Sequence, residues 1–119
     1  MATLLETRGP GFFIAHEANG TISRETIIVK MGEVLAVGAI LGKITASGKY
    51  VEQEDAAADG SQNAAGILYA AVDATDADVE AVAIVRHAEV NKAELVYPEL
   101  SDEAGIDADL LALQIKALT

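Results

Sequence analysis

A chain of 119 residues, 51% hydrophobic but only 4% aromatic, holds one domain with a thin core of Ala, Val, Ile and Leu. Its 19 acidic residues against 8 basic ones leave a net charge of −11, which disfavours contact with DNA or RNA and suits solubility. The chain has no cysteine, which excludes disulfides and thiol chemistry, and no apolar run approaches the ~20 residues of a membrane helix.

A core this thin often leans on partner subunits for stability. The segment Met1-Ala2-Thr3-Leu4-Leu5-Glu6 has no basic stretch ahead of an apolar one. It does not read as a signal peptide, so use without export is expected.

Residues 1–21 differ from the rest. Arg8-Gly9-Pro10-Gly11 is a turning segment, followed by Phe12-Phe13-Ile14 and then Asn19-Gly20. Both phenylalanines of the chain sit here side by side. One reading is a first strand covering the core. The favoured reading is an arm whose apolar residues dock on a partner, with Phe12, Phe13 and Ile14 as anchors.

Arg24 to Lys30 is β-rich, and Gly32-Glu33 punctuates it. Glycines at 32, 38 and 42 then interrupt apolar residues up to Ile44. Helices disfavour such spacing, whereas short bent strands accept it. Ser47-Gly48 lies between Ile44-Thr45 and Tyr50-Val51, which predicts a hairpin turn. Glu52 to Asn63 is polar and reads as an exposed loop. Ile67 to Val72 is a continuous apolar run, predicted as one buried strand. A turn over Asp73–Asp78 and a strand over Val79–Arg86 follow. Asn91-Lys92-Ala93-Glu94 has the form of a capping box and predicts one helical turn. The last helix starts at Ser101-Asp102-Glu103 or at Asp107. Ile106, Leu110 and Leu113 lie on one face, and Leu111, Ile115 and Leu118 repeat the spacing. This predicts one amphipathic helix on the β-core, with a short edge strand as an alternative ending.

The search for chemistry returns little. The chain has two histidines, His16 and His87. His87-Ala88-Glu89 could aim two ligands from one strand face, but no further ligand is spaced to complete a zinc site. The carboxylates cluster in turns, as solvated groups do, rather than as an acid–base pair. No Gly-x-Ser-x-Gly elbow and no phosphate-binding glycine loop is present. The expectation is no enzyme, no cofactor and no metal.

Three stretches taken together resemble the lambda-type head decoration proteins of tailed phages. The first is Ile22-Ser23-Arg24-Glu25-Thr26 leading to Gly32-Glu33-Val34-Leu35 and Gly38-Ala39-Ile40-Leu41-Gly42-Lys43. The second is Asp59-Gly60, then Ala65-Gly66-Ile67-Leu68 and Ala71-Val72-Asp73-Ala74-Thr75. The third is Ile84-Val85-Arg86, then Glu89-Val90-Asn91, Leu95 and Tyr97-Pro98. No one motif is specific; the ordered set is, and it spans about residues 20–118. The chain departs from the family pattern at Gln114-Ile115-Lys116-Ala117-Leu118, where a glycine is expected.

The resemblance implies a mainly β fold: a β-clip-like small barrel or sandwich of short bent strands, with one or two short helices. It implies an N-terminal capsid-binding arm over 1–21 and a decoration domain over 22–119. It further implies a homotrimer at threefold and quasi-threefold positions on the outer surface of an expanded icosahedral capsid. The partner would be the major capsid protein of the same phage, the place of synthesis the bacterial host cytoplasm, and neither nucleic acid nor membrane would be touched. The competing reading is a lipoyl- or biotinyl-like carrier, or a small β-clip binding domain. Val29-Lys30-Met31-Gly32-Glu33-Val34 and Gly38 to Ile44 resemble the glycine-punctuated strands of such carriers. Lys49 is then the one plausible tip lysine, with the wrong flanks.

Overall fold

The computed structural model describes residues 11, 13–17, 22–99 and 101–119. Among these the fold is mainly β. The strands are β1 (Ile14–Glu17), β2 (Arg24–Val29), β3 (Val34–Leu35), β4 (Ile40–Lys43), β5 (Tyr50–Glu52), β6 (Ala64–Leu68), β7 (Val72–Asp73), β8 (Val79–Ile84), β9 (Ala88–Asn91) and β10 (Ile115–Leu118). A 3-10 turn spans Lys92–Glu94, and one helix, α1, spans Glu103–Ala112.

Five strands close into a barrel in the order β2-β5-β4-β6-β8. Closure leaves those strands no free edge. The longest seam is antiparallel, β2 against β8, from Arg24 opposite Ile84 to Val29 opposite Val79. Outside the barrel, β9 lies between β1 and β10, antiparallel to the first and parallel to the second. β3 and β7 form a separate antiparallel pair.

Two apolar clusters follow from this arrangement. One fills the barrel and includes Ile27, Val29, Leu41, Leu68 and Ala83. The other lies on the far side of the barrel wall and joins Ile40, Ile67 and Ile84 to Phe13, Val90, Ile106, Leu110 and Ile115. Neighbouring residues of a strand point to opposite faces, so Ile40 and Leu41 serve different clusters, as do Ile67 and Leu68. A wall buried on both sides reads in sequence as an unbroken apolar run. Each large side chain fully buried there contributes roughly 1.5–3 kcal/mol.

The hairpin expected at Ser47-Gly48 joins β4 and β5. Gly48 has φ +75°, and its N–H donates to the Ile44 carbonyl at 2.8 Å. Gly42 has a packing reason. A Cβ there would lie 2.2 Å from the Ser61 carbonyl oxygen, so only glycine lets this loop lie on β4.

Four expectations are corrected. The run Ile67–Val72 is not one strand: β6 ends at Leu68, a bend follows at Tyr69-Ala70, and β7 starts at Val72. Its continuous hydrophobicity reflects two short elements that both face apolar clusters. Glu52–Asn63 is not simply an exposed loop, because Gln53 and Ser61 are buried. The Gln53 Nε2 donates to Asp55 Oδ1 at 2.7 Å and to the Gln62 carbonyl at 2.8 Å. The Ser61 Oγ donates to Asp59 Oδ1 at 2.6 Å. Local bonds of this kind let the Gln53 amide nitrogen and the Ser61 hydroxyl turn inward with partners, while Gln53 Oε1 is buried without one among the described residues. The helical turn at Lys92–Glu94 forms, but Asn91 makes no side-chain cap bond to it.

The fourth correction concerns the C-terminus. The helix stops at Ala112, and Ile115 and Leu118 belong to β10, the short edge strand given above as the alternative ending, rather than to a helical stripe. Ile106 and Leu110 form its buried face, while Leu111 is 61% exposed. Gln114 ends the helix with φ +64°, the left-handed conformation that helix ends favour and that glycine adopts most easily. This is the segment where the family pattern has a glycine. Replacing Gln114 with Gly should therefore raise stability by about 0.5–1 kcal/mol, a gain of a few degrees in Tm. Thermal melts followed by circular dichroism check this; a lower Tm would contradict it.

Candidate interaction surface

The structure bears directly on two of the three residues expected to dock on a partner. Phe13 is fully enclosed, packed in the cluster that contains Val90, Leu95 and Ile115. Ile14 is half-buried against the same cluster. Phe12 lies outside the described residues. The approach to β1 is tied down as well. Gly11 N–H donates to the Tyr69 carbonyl at 2.8 Å, and Asn91 N–H donates to the Phe13 carbonyl at 2.8 Å. Gly11 has φ +69°, and a Cβ there would lie 2.8 Å from the Tyr69 ring. Gly11 and the stretch from Phe13 to Glu17 are thus built into the folded body, and Phe13 fastens β1 to it.

Among the described residues, the exposed large apolar side chains are Ile22, Ile28, Met31, Val34, Val96 and Leu111. Met31 and Val34, 56% and 67% exposed, flank the turn between β2 and β3. Met31 N–H donates to Asp78 Oδ1 at 2.8 Å, which pins this turn to the Asp73–Asp78 turn.

One groove, of about 430 Å³, runs between β5, its following loop and Pro98, Glu99 and Ser101. Glu33, Glu52, Glu54, Asp55, Asp59 and Glu99 line it, with Lys30 as the one cation. Glu52 N–H donates to Glu33 Oε1 at 2.7 Å. Burial first, then the charges of Glu33, Glu54 and Glu99, push the Glu52 carboxyl above its ordinary range. Several carboxylates of the chain act as acceptors for the fold. Asp107 accepts from the Tyr97 hydroxyl and, at 2.8 Å, from Lys92 Nζ. Asp109 Oδ2 accepts from Ala64 N–H at 3.0 Å, and Asp55 Oδ2 accepts from Asp102 N–H at 2.7 Å. These bonds bind α1 to β6, to the 3-10 turn and to the loop after β5. Burial and Asp107 raise the Tyr97 hydroxyl far above its usual value.

His87 sits in the connection between β8 and β9, exposed, with φ +51°. Among the described residues, no three His, Cys, Asp or Glu side chains gather as metal ligands. Lys49 does follow the hairpin glycine, but its ammonium is paired with Asp78 Oδ2 at 2.7 Å. A carrier domain needs that lysine presented alone.

The deciding comparison is with protein families. The family model for the bacteriophage lambda head decoration protein D matches residues 3–117 of this chain. The chain belongs to this family. The match takes in the barrel, the outer sheet and α1 together. No curated protein matches the chain. Membership of a phage head decoration family makes this a capsid-associated protein of structural class. Nothing in composition signalled Phe13 as core, where Tyr69 and Tyr97 also pack against its cluster.

Two outcomes follow. Phe13→Ala should destabilise the free protein by ~3–5 kcal/mol, the usual cost of removing a buried ring. A denaturant titration without any partner measures it, and an unchanged midpoint would show that the ring is not core. Glu52→Gln should raise Tm at pH 7 but not below about pH 4. An acid with a raised pKa contributes its stability below its unfolded value and loses it as pH rises through the folded one. Melts at the two pH values decide this, and equal effects at both would count against the crowding of charge.

Proposed function

We propose that this protein is a structural virion protein that decorates and stabilises the outside of an expanded icosahedral phage capsid. It acts as a trimer at threefold and quasi-threefold positions, and it is not an enzyme. The observation that carries the reading is the family match across residues 3–117. The net charge of −11 supports a place outside the shell, away from packaged DNA. The mechanism is one of added interface. Each trimer bridges neighbouring capsid subunits, so the shell opens only after those contacts are lost. Many identical sites make a modest affinity per trimer effective.

The capsid-binding arm is the segment ahead of the folded body. Main-chain hydrogen bonds to a capsid strand would supply its affinity, and side-chain pockets its selectivity. Because Gly11 and Phe13 to Glu17 belong to the body, residues 1–10 are the part of the arm assigned to the partner. Phe12 stays a candidate anchor at its root.

The test is co-sedimentation with expanded capsids of the same phage that lack the protein. Full-length chain should pellet saturably, at a copy number matching the capsid protein. Deleting residues 1–10 should abolish pelleting while oligomeric state and melting stay unchanged. Full binding by the truncated chain would remove the arm from the account. No binding by the full chain would remove decoration itself.

A further inference from the structure

A second groove, of about 470 Å³, opens on the other side of the β4–β5 hairpin. It lies where the barrel meets the corner between α1 and β10. Its apolar floor is Ala65, Val85, Ala112 and Leu113. Lys43, Arg86 and His87 stand around it, with Glu25 the one carboxylate. Arg86 holds that carboxylate at 2.7 Å and also donates to the Ile22 carbonyl. Lys43 is exposed and has no ion pair among the described residues; its ammonium stands 5.9 Å from the Tyr50 ring centre.

The backbone around this groove is unusual. His87, φ +51°, and Gln114, φ +64°, are the two non-glycine residues in left-handed conformation among the described residues, and both line it. Their connections are bonded together, His87 N–H to the Leu113 carbonyl and Ala88 N–H to the Gln114 carbonyl. The buried Ser23 Oγ donates to the His87 carbonyl at 2.7 Å and fixes the turn. Strained residues persist where surrounding structure holds them, and they gather at sites of function.

We propose that this groove receives a carboxylate-bearing segment of a neighbouring copy of this chain. Resting on the trimer reading, the inference gives that assembly a contact. The occupant follows from charge. Copies that each carry −11 repel one another, so association needs a place where a cation not already paired with a carboxylate meets the neighbour's acids. Lys43, with no carboxylate partner among the described residues, is such a cation, set beside an apolar floor that the same segment would cover. A groove on one copy and an acidic segment on the next make a head-to-tail contact, and three such contacts close a ring.

Sedimentation equilibrium of wild type, Lys43→Glu, Lys43→Arg and Lys116→Glu tests it. Lys116 is exposed on β10 and controls for the same change of charge. Lys43→Glu should raise the dissociation constant of the trimer about tenfold or more, while Lys43→Arg and Lys116→Glu stay near wild type. Melting curves confirm that each variant is folded. A trimer unaffected by Lys43→Glu overturns the proposal, and so does a variant that stays trimeric but no longer binds expanded capsids, which would give the groove to the shell. Equal weakening by Lys116→Glu overturns it too, since net charge alone would then explain the effect. A monomeric wild type sinks the trimer reading itself.

Discussion

Everything in this fold depends on a wall that is buried on both sides. Strands β4, β6 and β8 send Leu41, Leu68 and Ala83 into the barrel, and Ile40, Ile67 and Ile84 outward against Phe13, α1 and the outer sheet. Neither cluster is large, and neither holds more than one phenylalanine. By sharing a wall, a chain with 4% aromatic residues builds two thin cores that support each other. The outer layer is therefore not an appendage. Without β1, β9, β10 and α1, one face of the wall would meet water.

The polar residues complete what the thin core begins. Asp55, Asp107 and Asp109 each accept a bond from a distant part of the chain, and together they hold α1 in place. An acidic protein thus uses several of its carboxylates as fasteners and leaves others on its surface. The same surplus constrains how copies meet each other and a shell, because contacts have to overcome repulsion before apolar burial counts.

Much of this was legible in the chain. The hairpin at Ser47-Gly48 and the bent strands around Gly38 and Gly42 follow from local sterics, which sequence states directly. The helix end was not legible. Leu111, Ile115 and Leu118 continue a helical spacing, and only the conformation of Gln114 interrupts it. The family pattern has a glycine within residues 114–118 that this chain lacks, and Gln114 in that segment still adopts the glycine-like conformation. For Phe13 the sequence leaves a first strand over the core and a docking arm both open, and the structure buries its ring in the core. Two adjacent phenylalanines near a chain end look like an adhesive, and nothing local says that one of them fills a space made by residues some eighty positions away. Inward-turned Gln53 was hidden because its burial depends on bonds to its own loop. As for the interaction surface, the ordered motifs pointed to the family, but no motif marked the groove beside Lys43.

The outer sheet joins residues 14–17, 88–91 and 115–118, so the chain must be synthesised almost to its last strand before that sheet is complete. All five barrel strands exist once residue 84 has been made. The barrel can therefore close while Ile40, Ile67 and Ile84 still face outward, uncovered by α1 and β10. For that interval the folding chain carries a sticky face open to capture by other chains. How quickly α1 and β10 dock thus decides the yield of folded protein, through the same geometry that later makes the finished wall secure.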